Sequence, residues 1–269
     1  SETSTTNIDV LDETYKRSLA QGKDFVVFST YASAHKLLGY KFDTLIADES
    51  QYCVNEDTFE TVNEIDATRK LFFTATEKHT STTKGRGLNN EDTFGPVLYQ
   101  VAPKTLIKKG YIVAPRLHVL SAAAKSDDYT VIDEVIHIAT KQIELTLAEQ
   151  PDIPVSKILF AMNGTNDVKE VIDNVANIKA VMPKHTIFTI VSNAKYGAMV
   201  DGVKMDRGHF MKELREADNA LIFHYDILSE GIDVDGITGV AILRNMQHAK
   251  LLQTIGRAVR IYKANPDAK

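Results

Sequence analysis

At about 150 residues per domain, 269 residues allow one large or two ordinary domains, each with a core of its own. Apolar residues make up 43% and charged residues 25%, and with 14 Gly and 7 Pro the composition excludes a disordered or repetitive chain. Lys and Arg number 31 against 36 Asp and Glu, spread as 13 against 16 over residues 1–115 and 18 against 20 over residues 116–269, which excludes a polycationic nucleic-acid binder and confines any such contact to a local face.

Cys53 is a single cysteine, so no intrachain disulfide is possible, and no spaced Cys/His set offers a structural zinc site; a reducing, intracellular setting is expected. Apolar runs at 25–28 and 158–162 fall far short of the roughly 18 residues of a membrane span, so no membrane partner is expected. Glu2, Asp9, Asp12 and Glu13 stand where a secretory signal would be basic and then apolar, and the polar opening reads as a fragment boundary.

In chain order, 24–30 reads as a short buried strand ending in hydroxyls, 42–48 as a second and 70–76 as a third. A helix over 56–63 separates the last two, so the first half alternates strand and crossover in the α/β manner. The 77–92 stretch lacks periodicity and is expected to be a mobile loop, with order returning at 95–99. A domain boundary is expected at 119–130, dividing 1–118 from 131–269. Apolar spacing over 131–149 predicts a long amphipathic helix ending before Pro151. Strands at 157–161, 186–192, 219–224 and 239–243, with helices over 167–178 and 209–217 between them, repeat the α/β plan.

Four segments carry chemistry. Asp48-Glu49-Ser50-Gln51 follows an apolar strand, at the carboxyl edge where open α/β sheets bind ligands; an Asp there can hold Mg²⁺ and a Glu can orient water for phosphoryl transfer. Taken alone it is equally an exposed acidic turn. Thr74-Ala75-Thr76 closes the next strand, in isolation more often a structural strand end. The 229–236 segment, with Gly231, Asp233 and Gly236, lies between two predicted strands and in isolation is an ordinary turn. Gln253, Gly256, Arg257 and Arg260 would share one face if 253–260 were helical, giving a cationic surface suited to a γ-phosphate. The plain alternative is a basic last helical turn favoured by the helix dipole.

In this order the four segments resemble the superfamily 2 helicases and translocases, in the DEAD-like branch that includes the helicase subunits of type I and type III restriction enzymes. The resemblance runs over roughly residues 24–262. Asp48 to Gln51 is similar to motif II, with Ser50 where alanine or cysteine is commoner. Thr74 to Thr76 resembles motif III, Ser229 to Asp233 motif V, and Gln253 to Arg260 motif VI. Ser29-Thr30-Tyr31 resembles motif Ib, and the Gly-Tyr-Ile-Val-Ala-Pro run at 110–115 resembles the exit from the first motor domain of that branch.

The resemblance implies two RecA-like parallel-sheet domains, the first truncated at its N-terminus, joined by the 119–130 linker and hydrolysing ATP with Mg²⁺ at a cleft between them. It assigns Asp48 to Mg²⁺, Glu49 to the attacking water, and Gln51 with Thr74 or Thr76 to coupling. Gly231 and Asp233 would sense nucleotide, while Gln253, Arg257 and Arg260 would serve the γ-phosphate, Arg260 as the arginine finger. Thr30, Tyr31 and Ser192 would face nucleic acid, DNA in preference to RNA, possible neighbours being other subunits or domains of a restriction or phage-replication system in the cytoplasm. One departure stands out: no Gly-x-x-x-x-Gly-Lys-Thr/Ser phosphate loop occurs, and Gly85-Arg86-Gly87 has neither its spacing nor its lysine. The chain alone is therefore expected to be inactive, and the second reading is a non-catalytic nucleic-acid-binding or scaffolding protein on a degenerate helicase fold.

Overall fold

The computed structural model describes residues 5, 7–119, 129–192, 195–225, 234–246 and 248–260. It is an α/β structure that divides into two compact units, Ser1–Tyr99 and Gln100–Lys269. Among the described residues no helix is long and apolar enough to cross a membrane. The expected linker lies almost wholly outside the described residues.

The first unit opens with α1 (Ile8–Ala20), which the sequence reading left as a polar opening; Asn7 caps it by accepting Asp9 N–H. A 3₁₀ helix (Tyr31–Leu37) leads to β1 (Lys41–Ala47), then α2 (Glu56–Glu64) crosses over to β2 (Asp66–Phe72). β1 and β2 pair in parallel, Lys41 opposite Asp66 and Ala47 opposite Phe72. β2 thus starts and ends four residues earlier than expected, leaving Thr74 and Thr76 beyond the ladder. The expected strand over 24–30 does not form. Phe25 and Val27 turn inward, where Phe25 packs against Tyr15 and Phe42, but Val26 and Phe28 are 74% and 94% exposed. The run has a strand's alternation without a strand's hydrogen bonds.

Cys53 is fully buried with Ala47 and Val62. Burial pushes its thiol pKa up, holding it in the unreactive protonated form. A thiol reagent such as Ellman's should therefore label the native chain only as fast as the first unit opens, and label it at once in denaturant. Prompt labelling under native conditions would contradict the burial.

In the second unit, α3 (Glu91–Phe94) having closed the first, the chain forms α4 (Pro103–Lys108) and then α5 (Val131–Glu149), whose bounds match the apolar spacing. Thr130 and Asp133 form a reciprocal capping box at its start. The rest runs β3 (Ser156–Ala161), α6 (Thr165–Asp173), α7 (Val175–Val181), β4 (Thr186–Ile190), β5 (Ala198–Val200), β6 (Val203–Met205), α8 (Arg207–Glu216), β7 (Asn219–His224), β8 (Ile237–Ile242) and α9 (His248–Ile255). The sheet order is β6-β5-β4-β7-β3-β8.

Four strands, β4-β7-β3-β8, run parallel, with β8 at the sheet edge, and both faces of this layer are covered. Ile158 and Phe160 of β3 and Leu221 and Phe223 of β7 face α5, α6 and α7, whereas Leu159, Ala220 and Ile222 face Phe210 and Leu214 of α8. This two-sided burial explains why the strands read as continuous apolar runs. The expectation of an all-parallel sheet needs correcting: β5 and β6 are antiparallel additions. Asp201 and Gly202 join them with φ of 47° and 81°, a turn with two left-handed residues. An Asp-Gly pair between short apolar runs is a strong hairpin signal that the sequence reading overlooked. The helix expected over 167–178 is also two helices, broken at Asn174.

A lysine performs the same task in each unit. Lys70 of β2 donates to the carbonyls of Val62 and Asn63 in the last turn of α2, at 3.1 and 2.6 Å. Lys157 of β3, almost wholly buried, donates to Leu214 O and Arg215 O in the last turn of α8, both at 3.2 Å. Each ammonium satisfies helix-end carbonyls that lack intrahelical partners.

His185 is buried beside Ser156, its Nε2 3.1 Å from Ser156 Oγ. Burial, with a smaller contribution from the Lys179 charge, lowers its pKa below the ordinary histidine value of 6.5. The unfolded chain therefore takes up the proton first. This contribution to stability is intact above pH 6.5 and is lost as pH falls from there through the lower folded-state pKa. Thermal midpoints measured between pH 7.5 and 5.5 should fall, and His185→Gln should flatten the slope; an unchanged slope would assign it to other groups.

Candidate functional site

β1 delivers Asp48 and Glu49 to its carboxyl end, beside the carboxyl end of β2. The chain then reverses sharply: Glu49 adopts φ 51° and ψ 48°, a left-handed conformation uncommon outside glycine, and a 3₁₀ turn (Ser50–Tyr52) follows. Ser50 N–H donates to Phe73 O at 2.8 Å, and Phe73 N–H donates to Ala47 O at 2.9 Å, so the backbone joins the two strand ends.

The side chains continue the junction. Gln51 Nε2 donates to Glu49 Oε2 at 2.8 Å, and Thr74 Oγ1 donates to Gln51 Oε1 at 2.6 Å. Thr76 N–H donates back to Thr74 Oγ1 at 3.0 Å. Glu49, Gln51, Thr74 and Thr76, four of the residues singled out from the sequence, thus form one continuous hydrogen-bonded chain. Gln51 and Thr76 are buried and Glu49 and Thr74 half-buried, while Asp48, next to Glu49, is exposed. Asp48 Oδ1 accepts Glu49 N–H at 3.0 Å. Ser50 is buried with a hydroxyl that has no partner among the described residues, a cost of about 1–3 kcal/mol that alanine would avoid.

Tyr31 belongs to the same cluster: its hydroxyl donates to Asp48 O. Burial, reinforced by the nearby Cys53 thiol, raises its pKa well above the ordinary tyrosine value, so it acts as a neutral donor. The resemblance implies that Tyr31 faces nucleic acid; in the structure its hydroxyl donates to the backbone of the acidic loop. Thr30, the residue before it, is exposed, as is Ser192 just past β4 in the second unit.

The basic segment departs from expectation. Helix α9 stops at Ile255, and Gly256, Arg257 and Arg260 lie beyond it in successive turns, with Arg257 N–H on Thr254 O and Ala258 N–H on Ile255 O. Arg260 forms an antiparallel bridge with Ile112, supported by a 2.8 Å bond from Val113 N–H to Val259 O. The segment is thus not one helical face: the chain leaves the helix after Ile255, and the 112–113 run offers Val259 and Arg260 an extended partner. Arg260 also lines an open groove of about 1420 Å³ bounded by α5, β8 and the 112–119 stretch. Gly231 and Asp233 lie outside the described residues. Among the described residues no group of three or more His, Cys, Asp or Glu side chains is placed to hold a metal ion.

No protein-family model matches the sequence, and no curated protein matches it. Solved structures do share the fold. The ATP-dependent Type ISP restriction-modification enzyme LlaBIII bound to DNA superimposes with a TM-score of 0.61 at 13% identity, over 94% of this chain and 20% of that one. A fragment described as the HsdR subunit of a type I restriction enzyme from Vibrio vulnificus YJ016 gives 0.53 at 17% identity, over 84% of this chain and 42% of that one. The chain therefore spans a fifth of the first protein and under half of the second. Its α/β fold resembles the parts of these restriction enzymes on which it superimposes, at low sequence identity.

Proposed function

We propose that this chain is part of an ATP-dependent helicase or translocase that works on nucleic acid, DNA in preference to RNA. The observation that carries the reading is the hydrogen-bonded chain from Glu49 through Gln51 to Thr74 and Thr76. It joins the two segments that resemble motifs II and III, and a hydrolytic site needs such a junction to pass a change at the phosphate into the body of the domain.

In this reading Asp48 serves as a ligand for Mg²⁺. It is exposed at the strand end, with Oδ1 engaged by its neighbour's N–H, and as a single carboxylate it would hold a magnesium ion whose other ligands come from water and phosphate oxygens. Bound Mg·ATP would supply the phosphoryl group; Glu49 orients the attacking water, and the Gln51 amide fixes the Glu49 carboxylate. Arg257 and Arg260 supply positive charge for the γ-phosphate, with Gln253, Gly231 and Asp233 assisting from the same half of the sequence.

The 269-residue chain by itself is expected to hydrolyse no ATP, so the test is ATP hydrolysis by the whole protein to which it is proposed to belong, with and without DNA or RNA oligonucleotides. DNA-stimulated phosphate release is the expected result, and its absence together with retained oligonucleotide binding would favour the non-catalytic reading suggested by the missing phosphate-loop sequence.

A further inference from the structure

The segment after Thr76, expected to be a mobile loop, carries its own set of hydrogen bonds. Asn89 clamps Thr80 from both sides: its Oδ1 accepts Thr80 N–H and its Nδ2 donates to Thr80 O, both at 3.0 Å. Leu88 N–H closes the base on Lys78 O at 2.9 Å, Thr80 Oγ1 donates to Thr82 O at 2.8 Å, and the buried Asn90 donates through Nδ2 to Gly85 O at 2.8 Å. There is no room for side chains where the loop doubles back. A Cβ on Gly87 would come within 2.3 Å of the Thr80 backbone nitrogen, and one on Gly85 within 2.6 Å of Thr80 Oγ1.

This loop is fixed by polar contacts, and it buries no large apolar side chain between residues 78 and 87. Its ten residues are Lys78, His79, Thr80, Ser81, Thr82, Thr83, Lys84, Gly85, Arg86 and Gly87, with no carboxylate among them. Lys78 donates to Asn55 Oδ1 and Arg86 lies 3.5 Å from the highly exposed Glu56, both weak surface contacts. At the tip, the side chains of Ser81, Thr82, Thr83 and Lys84 are exposed and make no hydrogen bond or ion pair among the described residues. The loop also leaves from the carboxyl end of β2, the sheet edge that carries Asp48 and Glu49.

We infer that the 78–87 loop is a phosphate-contact element for the nucleic-acid backbone. Hydroxyls and a lysine suit phosphate oxygens without reading sequence, and a pre-fixed loop spares the ordering entropy that a mobile one would lose on binding. The inference rests on the nucleic-acid reading above and adds to it a contact outside the helicase-like segments.

The experiment is fluorescence anisotropy of the 269-residue chain with a labelled 30-nucleotide single strand and its duplex, titrated at several salt concentrations. Lys84→Ala should weaken binding about tenfold at 0.1 M salt, equally for unrelated sequences, and reduce the slope of log K against log salt by about 1. Thr82→Ala with Thr83→Ala should weaken binding with little change in slope. Lys16→Ala, which removes an equally exposed charge from α1, should leave both nearly unchanged. If the chain binds and Lys84→Ala behaves like Lys16→Ala, the loop assignment is overturned and the nucleic-acid reading stands. Should the unaltered chain bind neither strand nor duplex, both fall.

Discussion

Glu49→Gln is expected to lower DNA-stimulated ATP turnover of the whole protein to which this chain is proposed to belong by about 10²–10⁴-fold, the range for losing a positioned general base. The substitution is a narrow one. A glutamine at 49 keeps the size of the side chain and a carbonyl oxygen to accept the Gln51 amide, so the chain to Thr74 can survive while the negative charge is lost. Nucleotide affinity should change much less than turnover, because the charge acts on the water and not on the bound phosphates. Arg260→Ala should cost about 10³-fold or more if that guanidinium neutralises charge developing at the γ-phosphate. Steady-state phosphate release at saturating oligonucleotide measures both, and undiminished turnover in the two variants would sink the role assignment.

The largest effect on stability is expected at Phe160. Its ring is fully buried in the layer between the sheet and α5–α7, stacked on Phe223 with centroids 4.7 Å apart. Phe160→Ala removes that contact and opens a cavity, and should destabilise the second unit by about 3–5 kcal/mol. Phe28→Ser is the matching control. Phe28 sits in a run of similar apolar character but is 94% exposed, so its replacement should shift stability by less than about 0.5 kcal/mol. Guanidinium melts followed by circular dichroism separate the two cases, and a large loss at Phe28 would show that its ring is covered in solution.

That pair of phenylalanines also marks what could be read from the sequence. The central strands of the second unit and the bounds of α5 were legible because two-sided burial and a helical apolar stripe leave strong local patterns. The 24–30 run carries a similar local pattern, yet strand formation depends on a neighbour with free hydrogen-bonding groups, which is not encoded locally. Motif-like segments were legible for the same reason as α5: they are short and contiguous. The link from Gln51 to Thr74 spans 23 positions, and its existence depends on the parallel register of β1 with β2. Tyr31 carries a role implied by the resemblance of 29–31 to motif Ib, and its bond to Asp48 O, 17 positions away, is set by the fold and leaves no local signal. The end of α9 was misread because Gly256 falls on the helical spacing as well as on a helix stop. Gln51 and Thr74 were found, but the clamp at Asn89 was not; an Asn after a Gly-rich turn is too common to single out.

The lysines that close α2 and α8 have a practical consequence for anyone who unfolds this protein. Lys70 and Lys157 both have pKa values lowered by burial, and in the folded chain both amines are occupied by helix-end carbonyls. Unfolding releases them, and cyanate in aged urea converts such amines to neutral carbamyl groups that are bulkier and uncharged. A chain carbamylated at Lys157 could not return that group to a site built for an ammonium, so refolding yield from urea would decline with time of exposure. Guanidinium chloride, which generates no cyanate, is the denaturant in which this fold should unfold reversibly.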